Sequence, residues 1–373
     1  MSSKRVLLLH EDQFLANFFC EKLENVGFAA DFAHNAETGL KMASEKPPDA
    51  VIVDPVLPGP DIAKLIPQLR AATGQPPAPI IVLPNSRPFF AEAAQEAGAV
   101  ALARRDNAVG EILNALQTVL KLDKGSMLTR GAGTTADESW LRMSLGSAPE
   151  VITNLRRSLH EMSREGSSPQ AFEEFYRRVH AFSEQMAVLG EKPLHFLAGQ
   201  IEALGLDLFK LPEQVNASVL RTLGQALDFL STLLPEAVRG RLKDPSAAQV
   251  LVVDDEEGAR KMIMAAMRMA NLKSVAADTP TTSLAALGVQ GFDLIFLDVG
   301  LPEMSGFDLC TKVRALPMHE KTPIVFITGM ATFQNRVQSS LSGGNDFVGK
   351  PFNLSELGLK ALIWIFKGQL GQL

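Results

Sequence analysis

The chain repeats itself across its two ends. Residues 6–13 read VLLLHEDQ and residues 250–257 read VLVVDDEE, an apolar run followed by acids, at an offset of 244. The same offset lays PDAVIVDPVLPGPD, around Asp54, on FDLIFLDVGLPEMSGFD, around Asp298, and APIIVLP (78–84) on TPIVFIT (322–328). Near the end the offset slips to 246, matching Gly98 to Gly344 and Arg104 to Lys350. A period this long means that one domain type occurs twice, and this limits the fold more than any composition statistic. Within each copy, short β-rich runs such as 250–253, 294–297 and 324–327 alternate with helical stretches such as 257–270 and 306–316. That alternation is the signature of βαβ units and a parallel sheet with helices on both faces.

With about five such units per copy, each end is expected to be an α/β flavodoxin-like domain whose ligand site lies at the carboxyl ends of the strands. The copies are placed at 1–121 and 249–373. Residues 122–138 and 236–248, rich in Gly, Ser, Thr, Pro and charge, read as linkers. The enclosed segment, 139–235, has no strand-like run. It shows four apolar-periodic stretches near 148–165, 169–190, 193–205 and 213–233, and a central all-α four-helix bundle is expected.

Composition excludes several functions. A net charge of -6 over 373 residues supplies no basic footprint for nucleic acid. Cys20 and Cys310 lie too far apart for a metal motif and suggest no disulfide framework. No stretch approaches the ~18 apolar residues of a membrane span. A soluble, cytoplasmic protein with no nucleic-acid or membrane partner is therefore expected.

In the C-terminal copy the polar residues sit where strands end. Asp254 and Asp255 follow LVV, Asp298 follows LIFL, Thr328 follows IVFI, and Lys350 closes the short last strand. In a parallel sheet these ends converge, so three carboxylates, a hydroxyl and an ammonium share one cleft. Such a carboxylate set needs a cation, and oxygen ligands suit Mg²⁺. With LPEMSG after Asp298 and KPF at 350–352, the copy resembles the receiver domains of two-component response regulators along its whole length. The resemblance implies that Asp298 takes a phosphoryl group from phosphohistidine, and that Asp254, Asp255 and Asp298 hold Mg²⁺ with the backbone carbonyl of Gly300. It implies that Thr328 and Lys350 stabilise the phosphoryl oxygens and that Phe347 is the switch aromatic. It further implies a cis Lys350–Pro351 bond and a phospho-aspartate lifetime tuned from Gly300 and Met330.

The N-terminal copy keeps Asp54 but has His10 and Glu11 at the aspartate pair, Pro84 for the threonine, Arg104 for the lysine and Ala101 for the aromatic. Proline has no hydroxyl to offer a phosphoryl oxygen. A degenerate receiver used for docking is the expectation, with Asp54 a possible second acceptor and His10 a polar filler of a vacated metal position or a metal ligand.

In the middle segment, Phe172, Phe175, Val179, Phe182, Met186 and Leu189 form one apolar stripe at ~100° per residue. His180 lies roughly 130° from the centre of that stripe and is expected to project to solvent. HAFSEQMAVLG resembles the phosphoacceptor helix of histidine phosphotransfer (HPt) domains, with His180, Phe182, Leu189 and Gly190 matching. WLRMSLGSAPEVITNLRRSL and PLHFLAGQIEAL resemble the flanking helices. Ser183 and Glu184 replace the family's lysine and glycine, and a carboxylate one turn from His180 repels a phosphoryl anion and occupies approach space. His180 is thus a second candidate acceptor on a helix whose alternative role is scaffolding. His160 and His195 carry no motif; a surface and a partly packed position are expected.

Together these readings imply a multi-domain response regulator: receiver, HPt-like helical bundle, receiver. Asp298 would accept phosphate from a sensor histidine kinase or HPt protein. The alternative is a phosphorelay intermediate moving phosphate between Asp298 and His180. The last helix, expected at 353–367, leaves no length for an output domain. Contact with a downstream signalling protein, and a homodimer through the last receiver helices and strand, are the expected outputs, with no separate enzymatic activity.

Overall fold

The computed structural model describes residues 3–83, 88–102, 108–122, 138–164, 166–190, 192–239, 241–329, 339 and 341–372. Pro84, Arg104, Met330 and nearly all of the 122–138 linker lie outside the described residues. The chain divides into two compact units, residues 1–151 with 177–191, and residues 152–176 with 192–373. Among the described residues no helix is long and apolar enough to cross a membrane.

The first unit is built on strands β1 (Arg5–Leu9), β2 (Ala29–Ala33), β3 (Ala50–Val53), β4 (Ile80–Val82) and β5 (Ala101–Leu102). They alternate with helices α1 (Gln13–Asn25), α2 (Ala36–Glu45), α3 (Ile62–Ala72), α4 (Pro88–Glu96) and α5 (Ala108–Val119). The strands are parallel in the order β2-β1-β3-β4-β5. β1, β3 and β4 are buried throughout, as strands with helices on both faces must be. This order puts the topological switch between β1 and β3, and the residues just beyond those strands are His10 and Asp54. Asp12 caps α1 by accepting from the Leu15 amide.

Four long helices follow: α6 (Glu138–Met162), α7 (Pro169–Val188), α8 (Lys192–Lys210) and α9 (Ala217–Val238). α6 starts ten residues ahead of the expected periodic stretch at 148 and continues through Pro149. Trp140 explains the extension. It is buried edge-on against Phe14 and Phe18 of α1, and its indole N–H donates to Glu21. The apolar stripe on α7 is as expected, with Phe172, Phe175, Val179, Phe182, Met186 and Leu189 all buried. α9 runs to Val238, three residues into the expected 236–248 linker, where Arg239 and Arg241 pair with Glu236 at its end.

In the second unit a second parallel sheet has the order β10-β9-β8-β6-β7. Its strands are β6 (Gln249–Val253), β7 (Lys273–Ala277), β8 (Leu294–Asp298), β9 (Ile324–Thr328) and β10 (Asp346–Gly349). Between and after them run α10 (Glu257–Met269), α11 (Pro280–Val289), α12 (Gly306–Arg314) and α13 (Leu354–Gln369). Read from the other edge, this is the N-terminal order again, as the repeat requires. The Lys350–Pro351 bond is cis.

α13 departs from the expectation for a last receiver helix. Residues Ser355 to Ile363, together with Ile365 and Phe366, are all buried, because α13 packs against α8 and α9 as well as α10. Buried polar bonds line the seam: Ser218 and Thr222 hydroxyls donate to Glu356, and the Ser355 hydroxyl donates to Asp207. Helices of the same chain cover α13, which was expected to be open for homodimer contact. The sequence carried the signal, since LSELGLKALIWIF is apolar around most of the helix.

Candidate functional site

The C-terminal carboxylates meet because β6 and β8 are adjacent and in register, Val253 opposite Leu297. Asp298 ends β8 and Asp254 follows β6, both buried, while Asp255 is exposed at the rim. One ligand oxygen from each of the three lies within 4.8 Å of the other two. Lys350 reaches in from the end of β10, its ammonium 2.8 Å from Asp254 Oδ2 and 3.1 Å from Asp298 Oδ1. The Gly300 amide donates to Asp298 Oδ2 at 2.7 Å, and the Glu256 amide donates to Asp254 Oδ1 at 3.0 Å. Thr328, at the end of β9, is buried, and its carbonyl accepts from the Lys350 amide at 2.7 Å, tying those two positions together.

Electrostatics follow from this crowding. Burial, reinforced by the charge of Asp254, raises the Asp298 carboxyl above its ordinary range against the pull of Lys350. Burial would lower Lys350, but the two carboxylates more than reverse this and hold it as an ammonium. Asp254 Oδ2 has the ammonium beside it without an aligned hydrogen bond. A fully buried carboxylate oxygen left in that state, among hard oxygen donors, fits a small divalent cation such as Mg²⁺.

The sequence reading missed three parts of this site. Arg260 on α10 donates to the carbonyls of Asp254 and Asp255 at 2.7 and 2.8 Å, fixing the turn that aims both acids. Glu256 stands 3.9 Å from the Lys350 ammonium. Gly306 lets the start of α12 pass the backbone of Asp298, where a Cβ would lie 2.1 Å from the Asp298 carbonyl oxygen. The glycine in LPEMSG was a visible signal for the last. Phe347, half-buried against the core beneath the site, has the Arg221 guanidinium of α9 5.7 Å from its ring centre.

In the first unit, the counterpart site is filled. Asp54 and His10 are buried, and the residues facing them come from α7. His180 Nε2 is 3.3 Å from Asp54 Oδ1, and Glu184 Oε2 is 3.0 Å from His10 Nε2 and 3.7 Å from His180 Nε2. Around them Gln185 donates to Asp12 at 2.9 Å, and Arg177 lies 3.7 Å from Glu11. His180 is 1% exposed, which overturns the expectation that it projects to solvent. The helical arithmetic correctly put it off the apolar stripe, but α7 buries that second face as well. Burial opposes the charge on Asp54, yet His180, then His10 and the Val56 amide, bring its carboxyl down to about 2. Burial likewise opposes a charge on His10, while the Glu184 hydrogen bond and the nearby carboxylates carry it above the ordinary imidazole value. His160 is exposed and His195 half-buried, as expected.

Residues 250–361 match the family model for the response regulator receiver domain. Among curated proteins, the probable transcriptional regulatory protein TcrX of Mycobacterium tuberculosis is 34% identical over 125 residues, 33% of this chain and 53% of its own length. The nisin biosynthesis regulatory protein NisR of Lactococcus lactis is 30% identical over 112 residues, 30% of this chain and 48% of its own. The chain thus spans about half the length of these relatives. Among solved structures, the chemotaxis response regulator CheY4 of Vibrio cholerae is 30% identical, covering 30% of this chain and 92% of that one, with a TM-score of 0.29.

Proposed function

We propose, from the premise that residues 250–361 are a response regulator receiver domain of CheY-like fold in a two-component system, that Asp298 is the phosphoacceptor and that the rest of the chain docks and assembles around it. The observation carrying this is the Asp298 carboxylate held among Asp254, Asp255, Lys350 and the Gly300 amide.

In this reading an Asp298 oxygen attacks the phosphorus of a phosphohistidine on a sensor kinase or HPt protein. The O–P bond forms as the N–P bond breaks, and the electron pair stays on the donor imidazole nitrogen, which takes up a proton. Lys350, held as a cation, and Thr328 meet the charge on the phosphoryl oxygens. Asp254, Asp255 and Asp298, with the Gly300 carbonyl, would hold Mg²⁺, which supplies charge neutralisation when bound. Phe347 stands where the family has its switch aromatic, and its contact with Arg221 gives any movement of the ring a route into α9. The chain then acts as a self-phosphorylating regulator that signals by protein contact, with the N-terminal sheet as a degenerate receiver and α6–α9 as an HPt-like module.

The relay reading, with His180 exchanging phosphate with Asp298, is disfavoured because His180 Nε2 faces Asp54 and Glu184. The test is labelling of the full chain by a small phosphodonor with Mg²⁺. Base-labile label is expected, lost in Asp298→Asn, with no base-stable phosphohistidine. Label persisting in Asp298→Asn at the unsubstituted level refutes the assignment.

A further inference from the structure

The cluster in the first unit is more than a plugged phosphorylation site. It brings together two imidazoles and two carboxylates from three elements: His10 beyond β1, Asp54 beyond β3, and His180 with Glu184 one turn apart on α7. We propose that Asp54, His180 and Glu184 are the ligands of a second metal site, one for a first-row transition ion such as Zn²⁺, with His10 holding Glu184 in place from outside.

Geometry is the first argument. Tetrahedral zinc with bonds of about 2.0–2.1 Å has ligand atoms about 3.3 Å apart. His180 Nε2 is 3.3 Å from Asp54 Oδ1 and 3.7 Å from Glu184 Oε2, and ligand oxygens of Asp54 and Glu184 lie within 4.8 Å of each other. Three such ligands would leave a fourth position for water. His180 and Glu184 are i and i+4 on one helix, a spacing that aims two side chains at one point.

Tautomer chemistry assigns His10 its outer place. Its Nδ1 accepts from the Asp12 amide at 3.0 Å, so its proton sits on Nε2 and is donated to Glu184 Oε2 at 3.0 Å. An imidazole that hydrogen-bonds a ligating carboxylate this way fixes the ligand's orientation. Burial adds to this: Asp54 and Glu184 set two carboxylates in a buried place, and a divalent ion held by them and His180 offsets both charges. The imidazole donor favours Zn²⁺ or Co²⁺ over Mg²⁺, in contrast to the all-oxygen cluster around Asp298. Such an ion would pin the 177–188 part of α7 across the ends of β1 and β3 and keep Asp54 and His180 out of phosphoryl chemistry.

The test uses the full chain, stripped with a chelator, carrying Asp254→Asn to weaken the C-terminal cluster. One equivalent of zinc retained after gel filtration is expected, with an intense visible Co²⁺ band of a four-coordinate site having a nitrogen ligand. Both should be lost in His180→Ala and in Glu184→Gln. The second variant preserves shape and the His10 contact, and its circular dichroism spectrum and urea midpoint verify that it is folded. His10→Gln should weaken binding about 10–100-fold without abolishing it. Failure of the parent to retain zinc, or stoichiometry and Co²⁺ spectrum unchanged in a folded Glu184→Gln, overturns the proposal.

Discussion

Replacing Lys350 by Met removes the ammonium shared by Asp254 and Asp298, at 2.8 and 3.1 Å. Breaking a buried ion pair by deleting one partner costs about 3–5 kcal/mol, because the other charge stays buried. Asp254 is wholly buried, but the Lys350 side chain is 22% exposed, so water reaches part of the vacated space and the lower end, about 3 kcal/mol, is expected. Mg²⁺ should restore most of this. At 100 times its Kd, an ion that binds only the folded state contributes about 2.7 kcal/mol. Phosphorylation should not recover in parallel, since a lost charge-stabilising donor costs about 10²–10³ in rate. The assays are urea unfolding at pH 7 with chelator or Mg²⁺, and initial labelling rate at saturating Mg²⁺. A rate within threefold of the unsubstituted chain, or an unchanged urea midpoint in chelator, would refute the role derived for Lys350.

Asp298→Asn should stabilise the chain at neutral pH. The folded carboxyl is raised, so its charged form costs stability above the folded pKa, and the cost fades as pH falls through that pKa toward the ordinary range. The urea midpoint of the variant should therefore exceed that of the unsubstituted chain at pH 7 and approach it at pH 4, and a gain independent of pH would contradict this. Gly306→Ala should lose about 3 kcal/mol or more and most labelling, because its Cβ would strike the Asp298 backbone oxygen rather than a movable side chain; thermal unfolding and labelling report both. Glu356→Ala removes the carboxylate that accepts from the Ser218 hydroxyl and leaves Thr222 with the Ser218 carbonyl as its acceptor, and should cost about 1–3 kcal/mol. A thermal midpoint equal to that of the unsubstituted chain would show that the α9–α13 seam is held by its apolar contacts alone.

The C-terminal site was legible because its geometry is a property of the strand order. Once the alternating runs make a parallel sheet, residues at strand ends converge, and Asp254, Asp298, Thr328 and Lys350 could be placed from their positions alone. The repeat then extended the same sheet to the N-terminal end. Helices are less determined. An apolar stripe fixes one face of α7, and that face is buried as the period demands, but the period says nothing about what meets the other face. His180, Glu184, His10 and Asp54 lie up to 174 residues apart, and their meeting depends on side-chain complementarity between elements that carry no shared periodicity. The same holds for α13: its apolar composition fits burial against a second copy as well as against this chain, and only the tertiary structure identified α8 and α9 as what covers it. Sequence by itself determined which groups each strand end presents, because backbone periodicity and parallel topology are local rules. Tertiary structure decided which of those groups are met by side chains of another helix, as His10 and Asp54 are by α7, because packing between distant segments is set by shape and charge together.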